Sequence, residues 1–421
     1  MGMGGAAGTD MMAQLQALMT GSGGPVNWDL ATQMARGAIA GDDPVVAEHE
    51  GREIADAGRL AELWLDPVTA LSGSGLGPQA WTRRDWLEQT LASWKQLVDP
   101  VAGRVTAEMG SAMQQGLLGE QMLEGLPPEL SSLLSGLGPN PFAGVLDQVG
   151  AVVFGTQVGM ALGGLADEVL CTSDVGIPLG RSALVPTNIA AFAEGLEVPL
   201  DEVRLYVALR ESAHQRLFDQ VPWVKAHLYD AVDAYARGIE VDPSAIERAV
   251  TSFDPDNPAS VQEALASGGS GLFAIEATPA QQAALVRLEL ALALVEGWVD
   301  QVVDDAASAT LPHAAQLRET IRRRRASGGP AEQTFANLVG LTLRPRRLRE
   351  AAALWAALTE ARGIEGRDAL WDHPDLLPGP EDLDDPETWL AGGPLSGTDW
   401  DAGLQALDQD PTGGSGEPDQ A

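Results

Sequence analysis

Charged side chains on the inner face of one helix are the part of the sequence best suited to chemistry. Helical periodicity covers residues 201–219. At 100° per residue, Arg210 and His214 lie one turn apart on an otherwise apolar stripe, with Glu211 at its edge. Charged groups on such a stripe must be paired, hydrogen-bonded or metal-bound, because their burial is otherwise costly. The apolar members of the stripe are Val203, Val207 and Leu217.

A second helix, predicted over residues 279–305, carries another carboxylate on a buried face. Glu296 shares that face with apolar residues by the same helical arithmetic. Two helices that each bury a charged group are expected to meet at those groups. The other residues on the face are Leu285, Glu289, Leu292, Val299 and Val303.

The stretches around these residues resemble the zincin-like metallopeptidase family of actinobacterial proteins, whose members are labelled hydrolases or zinc-dependent metalloproteases. The resemblance covers roughly residues 140–385. The matching stretches are VPTNIAAFAEGLEVPLDEVRLYVALRESAHQRLFDQVPWVKAHL, LALVEGWVDQVVD, RRRRASGGPAEQTFANLVGLTLRPRRLREA and RDALWDHPDLLP.

The resemblance implies a set of site residues. In zincins, a helical His-Glu-x-x-His motif binds zinc through its two His, and its Glu is the general base. The sequence here reads RESAH over residues 210–214. The resemblance therefore implies Glu211 as the catalytic base and His214 with Glu296 as metal ligands. The alternatives to Glu296 are Glu289, Asp300 and Asp304, and the histidines that could complete a site are His227, His313 and His373.

The first ligand position of the motif holds Arg210. Its guanidinium group stays protonated and offers no lone pair to a metal, and one His with one carboxylate makes a poor zinc site. We expect Arg210 to form an ion pair with Glu296 in place of the metal. The protein would then be a metal-free or weakly active zincin relative that acts as a binding or scaffold protein for a protein or peptide. The alternative is a zinc-dependent peptidase with Glu211 as general base; zinc is the only cofactor implied.

Composition excludes several function classes. The chain has 421 residues with 26 Lys and Arg against 60 Asp and Glu, a formal net charge of −34. Such a chain repels phosphate backbones, so no nucleic-acid partner is expected. Its one cysteine, Cys171, excludes an intrachain disulfide and a Cys-based zinc cluster, and is expected to be a buried structural thiol.

Nine arginines between Arg318 and Arg349 form one basic district. We interpret it as a solvated helix face neutralised by the acidic tail or by other acidic surface. A nucleic-acid patch is the weaker alternative, because no aromatic interleaving or recognition motif accompanies the arginines. An anionic ligand or partner is the remaining one.

An uncharged stretch, residues 148–166, is the one candidate for a membrane span. Gly155, Gly159 and Gly163 recur every fourth residue in it. Such small residues allow close helix approach, but no Lys or Arg anchors either end. We expect a buried, tightly packed helix, no membrane partner, no signal peptide and a cytoplasmic protein.

The fold class expected is mainly α, a zincin-like helical fold with a small β element near 171–186. The predicted organisation is a poorly ordered N-terminus (1–27), an N-terminal helical region (28–135), a zincin-like domain (136–378) and an acidic, partly disordered tail (379–421). Helices are predicted over 28–40, 44–65, 78–97, 103–118, 148–166, 188–196, 201–219, 223–238, 243–251, 279–305, 312–326, 330–340 and 346–362.

Overall fold

The computed structural model describes residues 24–39, 41, 43–112, 141–240 and 278–392. Within these ranges the chain is mainly helical with one small two-stranded sheet, which confirms the predicted fold class. The helices are α1 Trp28–Ala38, α2 Glu48–Leu65, α3 Arg83–Ala112, α4 Pro141–Glu168, α5 Pro186–Ala193, α6 Leu200–Gln220, α7 Pro222–Arg237, α8 Pro279–Ala307, α9 Ala314–Ser327, α10 Pro330–Val339, α11 Leu348–Asp368 and α12 Pro386–Gly392. The strands are β1 Gln79–Ala80 and β2 Ala183–Leu184, and two 3-10 helices cover Ala369–Asp372 and Pro374–Leu376.

Some predictions lie outside the described residues. They are the N-terminus up to residue 23, the helix 243–251 and the acidic tail from residue 393 onward.

The sheet joins two distant segments. Strand β1 pairs in parallel with β2, so that Gln79 lies opposite Ala183, and an isolated antiparallel bridge adds Cys171. The β element predicted near 171–186 is therefore present as β2. Its partner β1 falls within 78–97, where the sequence predicts a helix. Two residues are too few for a period-2 pattern, and only their pairing with β2 makes them a strand.

Helix α3 is continuous where two separate helices were predicted, 78–97 and 103–118. Pro100 lies inside it and removes one backbone hydrogen bond of the helix. An apolar face runs past the proline and packs against α4 and α7, which offsets that loss. The buried residues of this face are Leu97, Val98, Val101, Ala102 and Val105.

The glycine stripe of α4 lies against α1. A Cβ on Gly159 would lie 2.4 Å from the carbonyl oxygen of Ala31, and one on Gly163 would lie 2.7 Å from that of Ala35. Only glycine permits this approach of two backbones. The uncharged stretch is thus part of a packed helix pair. None of the helices in the described ranges has both the length and the apolar composition to cross a membrane.

Helix α8 lies in the middle of the core, between α6, α7 and α11. It begins where the sequence predicts: the Thr278 side chain accepts from the N–H of Gln281, the Gln281 side chain accepts from the N–H of Thr278, and Pro279 follows the cap. Gly297 lets α11 approach so closely that a Cβ there would lie 2.6 Å from the Ala351 side chain. The face of α8 that carries Gly297 therefore lies against α11.

Helices from both predicted regions share one hydrophobic core. From the N-terminal region, α2 packs against α6, and α3 packs against α4 and α7. The boundary between an N-terminal region and a zincin-like domain stays a prediction.

Candidate functional site

The residues singled out in the sequence come together where α6 faces α8. The inner face of α6 carries Arg210, Glu211 and His214, and α8 contributes Glu296. Glu211 and Glu296 have no exposed surface, and His214 is 1% exposed. Four ionisable groups are stable in such a place only if they pair with one another or with other polar groups.

Arg210 and Glu296 form an ion pair between the two helices, with 2.6 Å between Arg210 Nη2 and Glu296 Oε2. The other carboxylate oxygen faces His214, whose Nε2 lies 3.3 Å from Glu296 Oε1. His214 Nδ1 donates a hydrogen bond of 2.9 Å to the carbonyl oxygen of Arg210, one turn earlier. This bond holds the imidazole ring with Nε2 directed at Glu296.

Arg325 on α9 is a third partner of Glu296 and is absent from the predicted site. Its Nε lies 3.5 Å from Glu296 Oε1, and the residue is 3% exposed. A sequence signal for it exists: Leu317, Ile321 and Arg325 are each four residues apart and all buried. Arg325 therefore interrupts the apolar stripe of α9 as Arg210 interrupts that of α6. We call Arg210, His214, Glu296 and Arg325 the Glu296 cluster.

The guanidinium groups keep Glu296 ionised. Burial alone raises the pKa of Glu296, but the charges of Arg325 and Arg210 outweigh it and hold the pKa well below its usual range. Burial likewise lowers the pKa of Arg210, but Glu296 outweighs that effect and raises it. Two guanidinium groups thus face one carboxylate, and the cluster is cationic rather than a ready acceptor of cations.

Glu211 is bound by other groups. Its Oε2 accepts a hydrogen bond of 2.9 Å from the backbone N–H of Ser173, and its Oε1 accepts one of 3.0 Å from Nε2 of Gln215. Burial raises the pKa of Glu211 by more than these hydrogen bonds and the neighbouring His214 lower it. No sequence pattern marks Ser173 as a partner. The carboxylate that would serve as a general base is thus enclosed by the chain itself.

Residues 171–182 close the site from one side. Gly176 has a φ of 81°, and a Cβ there would lie 3.0 Å from Glu296 Oε1 and 3.1 Å from Nη2 of Arg325. Glycine is needed both for this left-handed backbone and for the close approach. Asp174, in the same segment, accepts two hydrogen bonds from an arginine of α9. The contact between Asp174 and α9 therefore holds residues 171–182 over the Glu296 cluster.

Comparison with known proteins places this fold in a family. A family model described as "Zincin-like metallopeptidase" matches residues 26–390. The chain belongs to this family. No curated protein matches it. A crystal structure named "putative hydrolase with a novel fold", from Chloroflexus aurantiacus, superposes with a TM-score of 0.58 at 21% sequence identity, covering 87% of this chain and 98% of that one. At this identity the likeness concerns the fold alone.

Zinc is the ion that membership of the zincin-like family implies, and two atoms of the site fit it. His214 Nε2 and Glu296 Oε1 are buried without a hydrogen-bond partner. Their separation of 3.3 Å is that of two ligands on one tetrahedral ion with bonds of about 2.0–2.1 Å. A third protein ligand is missing, because the described residues contain no group of three His, Cys, Asp or Glu side chains placed to hold a metal.

The charges around these two atoms oppose a cation. Arg210 Nη2 lies 2.6 Å from Glu296 Oε2, and Arg325 Nε lies 3.5 Å from Glu296 Oε1. A cation bound to Glu296 would be repelled by both guanidinium groups, and charge repulsion is strong at short range in a buried site. One His and one carboxylate make a poor zinc site even without this repulsion. The residues present in this zincin-like protein do not fit zinc.

The alternative ligands are engaged elsewhere. The three acids on α8 pair with arginines: Glu289 with Arg346, Asp300 with Arg318 and Arg322, and Asp304 with Arg318. The three histidines contact other groups: His227 lies beside Trp223, His313 pairs with Glu202, and His373 accepts from the backbone N–H of Asp375.

The basic district is neutralised within the part of the chain that the structure describes. Each of its arginines has a carboxylate within 4.0 Å, and one of these carboxylates, Asp384, belongs to the predicted acidic tail. The remaining partners are Asp300 and Asp304 for Arg318, Asp300 for Arg322, Glu319 for Arg323 and Arg349, Asp174 for Arg324, Glu296 and Glu332 for Arg325, Glu332 for Arg344 and Glu289 for Arg346.

Proposed function

We propose that this protein is a metal-free member of the zincin-like metallopeptidase family, with a degenerate site, that acts as a binding or scaffold protein. The observation that carries the proposal is the 2.6 Å ion pair between Arg210 and Glu296. The guanidinium group takes the carboxylate that would otherwise be a metal ligand. It also stands at the sequence position where the family motif has its first His.

Burial supports the same proposal. A peptidase must bring a peptide carbonyl and a water molecule against its general base. Here the side chains of Glu211, His214 and Glu296 are at most 1% exposed, and Ser173 and Gln215 already bind Glu211. Arg210 and Glu296 hold each other, and Ser173 and Gln215 hold Glu211, which is the behaviour of an internal structural cluster.

The partner that we propose is a protein or a peptide, bound at the surface of the fold in the cytoplasm. The net charge of −34 and the neutralised basic district favour this class over a nucleic acid. A charge of this sign also repels anionic membrane surfaces.

A zinc-dependent peptidase with Glu211 as general base is the second candidate. The observation in its favour is that His214 Nε2 and Glu296 Oε1 are both buried without a hydrogen-bond partner and stand at the spacing of two metal ligands. This function requires Arg210 to leave Glu296 and a third ligand to enter.

Metal analysis of the purified full-length chain, after incubation with zinc and removal of free ion, separates the two functions. We expect far less than one zinc per chain, unchanged in His214→Ala, and no cleavage of a generic fluorogenic peptide above the level of Glu211→Gln. His227→Ala is the matched control, since His227 lies on α7 beside Trp223 and outside the cluster. One zinc per chain that is lost in His214→Ala but kept in His227→Ala refutes the proposal and supports the peptidase.

A further inference from the structure

A surface cleft between α3 and α7 lies apart from the Glu296 cluster. Its volume is about 430 Å³, within the roughly 300–1,000 Å³ of small-molecule sites. Six residues line it: Lys95, Gln96, Asp99, Pro100, Tyr229 and Asp233. The first four belong to α3 at its internal proline, and the last two belong to α7.

Charges of both signs line this cleft. Among the described residues, no carboxylate lies within 4.0 Å of Lys95 and no basic group lies within 4.0 Å of Asp233. Lys95 Nζ lies instead 5.7 Å from the centre of the Trp28 ring. Asp99 accepts a hydrogen bond of 2.8 Å from Trp28 Nε1 through one oxygen only. Burial raises the pKa of Asp99, and the charge of Lys95, one turn earlier on α3, acts against that rise. In the basic district, by contrast, every arginine lies within 4.0 Å of a carboxylate. Opposite charges that share a cleft but not a contact leave room for a ligand that meets both.

The proline inside α3 leaves a further acceptor. Pro100 has no N–H, so the carbonyl oxygen of Gln96 lacks the hydrogen bond that residue 100 would give it in a regular helix. Gln96 and Pro100 both line the cleft. An ammonium group has three donors and suits a site that offers this carbonyl and the carboxylate of Asp233.

The ring of Tyr229 forms part of the cleft wall, and a second lysine, Lys225, lies over this ring. Tyr229 donates its hydroxyl to the carbonyl oxygen of Pro178 at 3.3 Å, which fixes its ring at the cleft wall. Lys225, the only other lysine of a chain whose remaining basic residues are arginines, lies over this ring at 5.5 Å. A lysine ammonium is a compact point charge, suited to a single carboxylate of a small ligand.

We infer that this cleft binds a small zwitterion, a free amino acid or a short peptide with free termini. The ligand ammonium contacts Asp233 and the Gln96 carbonyl, its carboxylate contacts Lys95, and an apolar side chain lies on Tyr229. The inference names a ligand class for the proposed binding role. It stands separately from the metal content of the Glu296 cluster, which the cleft does not include.

Calorimetric titration of the full-length chain tests the inference. The probes are alanyl-phenylalanine, the same dipeptide acetylated at its amino end or amidated at its carboxyl end, and free phenylalanine. We expect a Kd of about 1 mM or tighter for the dipeptide or for phenylalanine, weakened at least about tenfold by blocking either end. Binding by phenylalanine alone assigns the cleft to amino acids, and binding by the dipeptide alone assigns it to peptides.

Variants separate the two ends of the ligand. Asp233→Asn should weaken binding of the free dipeptide about tenfold, and acetylation of the dipeptide should then weaken binding no further. Lys95→Gln should also weaken binding of the free dipeptide about tenfold, and amidation should then weaken binding no further. Asp230→Asn on α7 and Arg84→Gln on α3 are exposed matched controls outside the cleft lining and should bind as the unchanged chain does. The absence of saturable binding by every probe, equal binding of blocked and free dipeptides, or equal losses in the control variants would each overturn the inference.

Discussion

Glu296→Gln is the substitution that tests the Glu296 cluster most directly. Glutamine keeps the shape of the side chain but removes its charge. Arg210 then loses its ion pair at 2.6 Å, and Arg325 loses the carboxylate 3.5 Å from its Nε. Arg325 keeps a hydrogen bond of 3.3 Å to the carbonyl oxygen of Leu343 and a contact of 4.0 Å with Glu332. Arg210 is thus the group left with an uncompensated charge.

The magnitude follows from the burial of these groups. Removing one partner of a buried ion pair costs about 3–5 kcal/mol, because the remaining charge stays buried without its counter-ion. Unfolding entropy is about 2.1 cal/mol/K per residue, so about 300 folded residues give roughly 0.6 kcal/mol/K. The expected fall in Tm is therefore about 5–8 °C.

A double-mutant cycle measures the pair itself. Chemical denaturation is followed by circular dichroism for the unchanged chain, Arg210→Gln, Glu296→Gln and the double variant. In the double variant no guanidinium is left at position 210. Its loss in free energy of unfolding should therefore be smaller, by about 2 kcal/mol, than the sum of the losses in the two single variants. Arg323→Gln is the control, since Arg323 is 77% exposed and pairs with Glu319 at the surface; its effect should stay below about 1 kcal/mol.

Two results would refute this reasoning. The first is additivity of the Arg210 and Glu296 substitutions within about 0.5 kcal/mol, which would mean that the two side chains do not stabilise each other. The second is a Glu296→Gln variant that loses no more stability than Arg323→Gln does.

Three further predictions concern other parts of the fold. Gly159→Ala should lower the free energy of unfolding by about 1–3 kcal/mol, because its Cβ would lie 2.4 Å from the carbonyl oxygen of Ala31. Cys171 should resist a thiol reagent at pH 8 in the native protein, because burial, with the nearby carboxylates of Glu211 and Asp174, raises its pKa well above the usual value. Burial raises the pKa of Glu332 in the folded state more than Arg325 and Arg344 lower it. The stability of the unchanged chain relative to Glu332→Gln should therefore be greatest below about pH 4.3, the unfolded pKa, and fall as the pH rises through the folded pKa.

Each of these predictions has its own control. Gly51→Ala on α2 meets nothing within 4 Å and should raise stability by about 0.5–1 kcal/mol, so an equal loss in both variants would contradict the close packing of α1 and α4. Cys171 should react fully in denaturant, and stoichiometric labelling without denaturant would contradict its burial. For Glu332, the measurement is the difference in free energy of unfolding between the unchanged chain and Glu332→Gln from pH 3 to pH 7. A difference that stays constant over this range would contradict the raised pKa.

Local chemistry in the sequence determined the elements and the faces that carry the site. The start of α8 is encoded by Thr278, Pro279 and Gln281, which lie within one turn of each other. Helical arithmetic placed Arg210, His214 and Glu296 on buried faces, and the four-residue glycine spacing identified the tightly packed α4. Such inferences succeed because capping and periodicity depend on residues only a few positions apart.

The pairing of Arg210 with Glu296 was expected from the sequence, but the tertiary structure decided which other groups these faces meet. Gln79–Ala80 became a strand only by pairing with β2, and α3 continued through Pro100 because its apolar face packs on both sides of the proline. Arg325 stood on the buried stripe of α9, yet only the packing of α9 brought it to Glu296. A buried carboxylate favours a metal or a guanidinium according to which partners lie within a few ångströms. Those partners come from segments far apart in the chain, so the sequence indicated the charges and one pair among them, and the fold added Arg325 and Ser173.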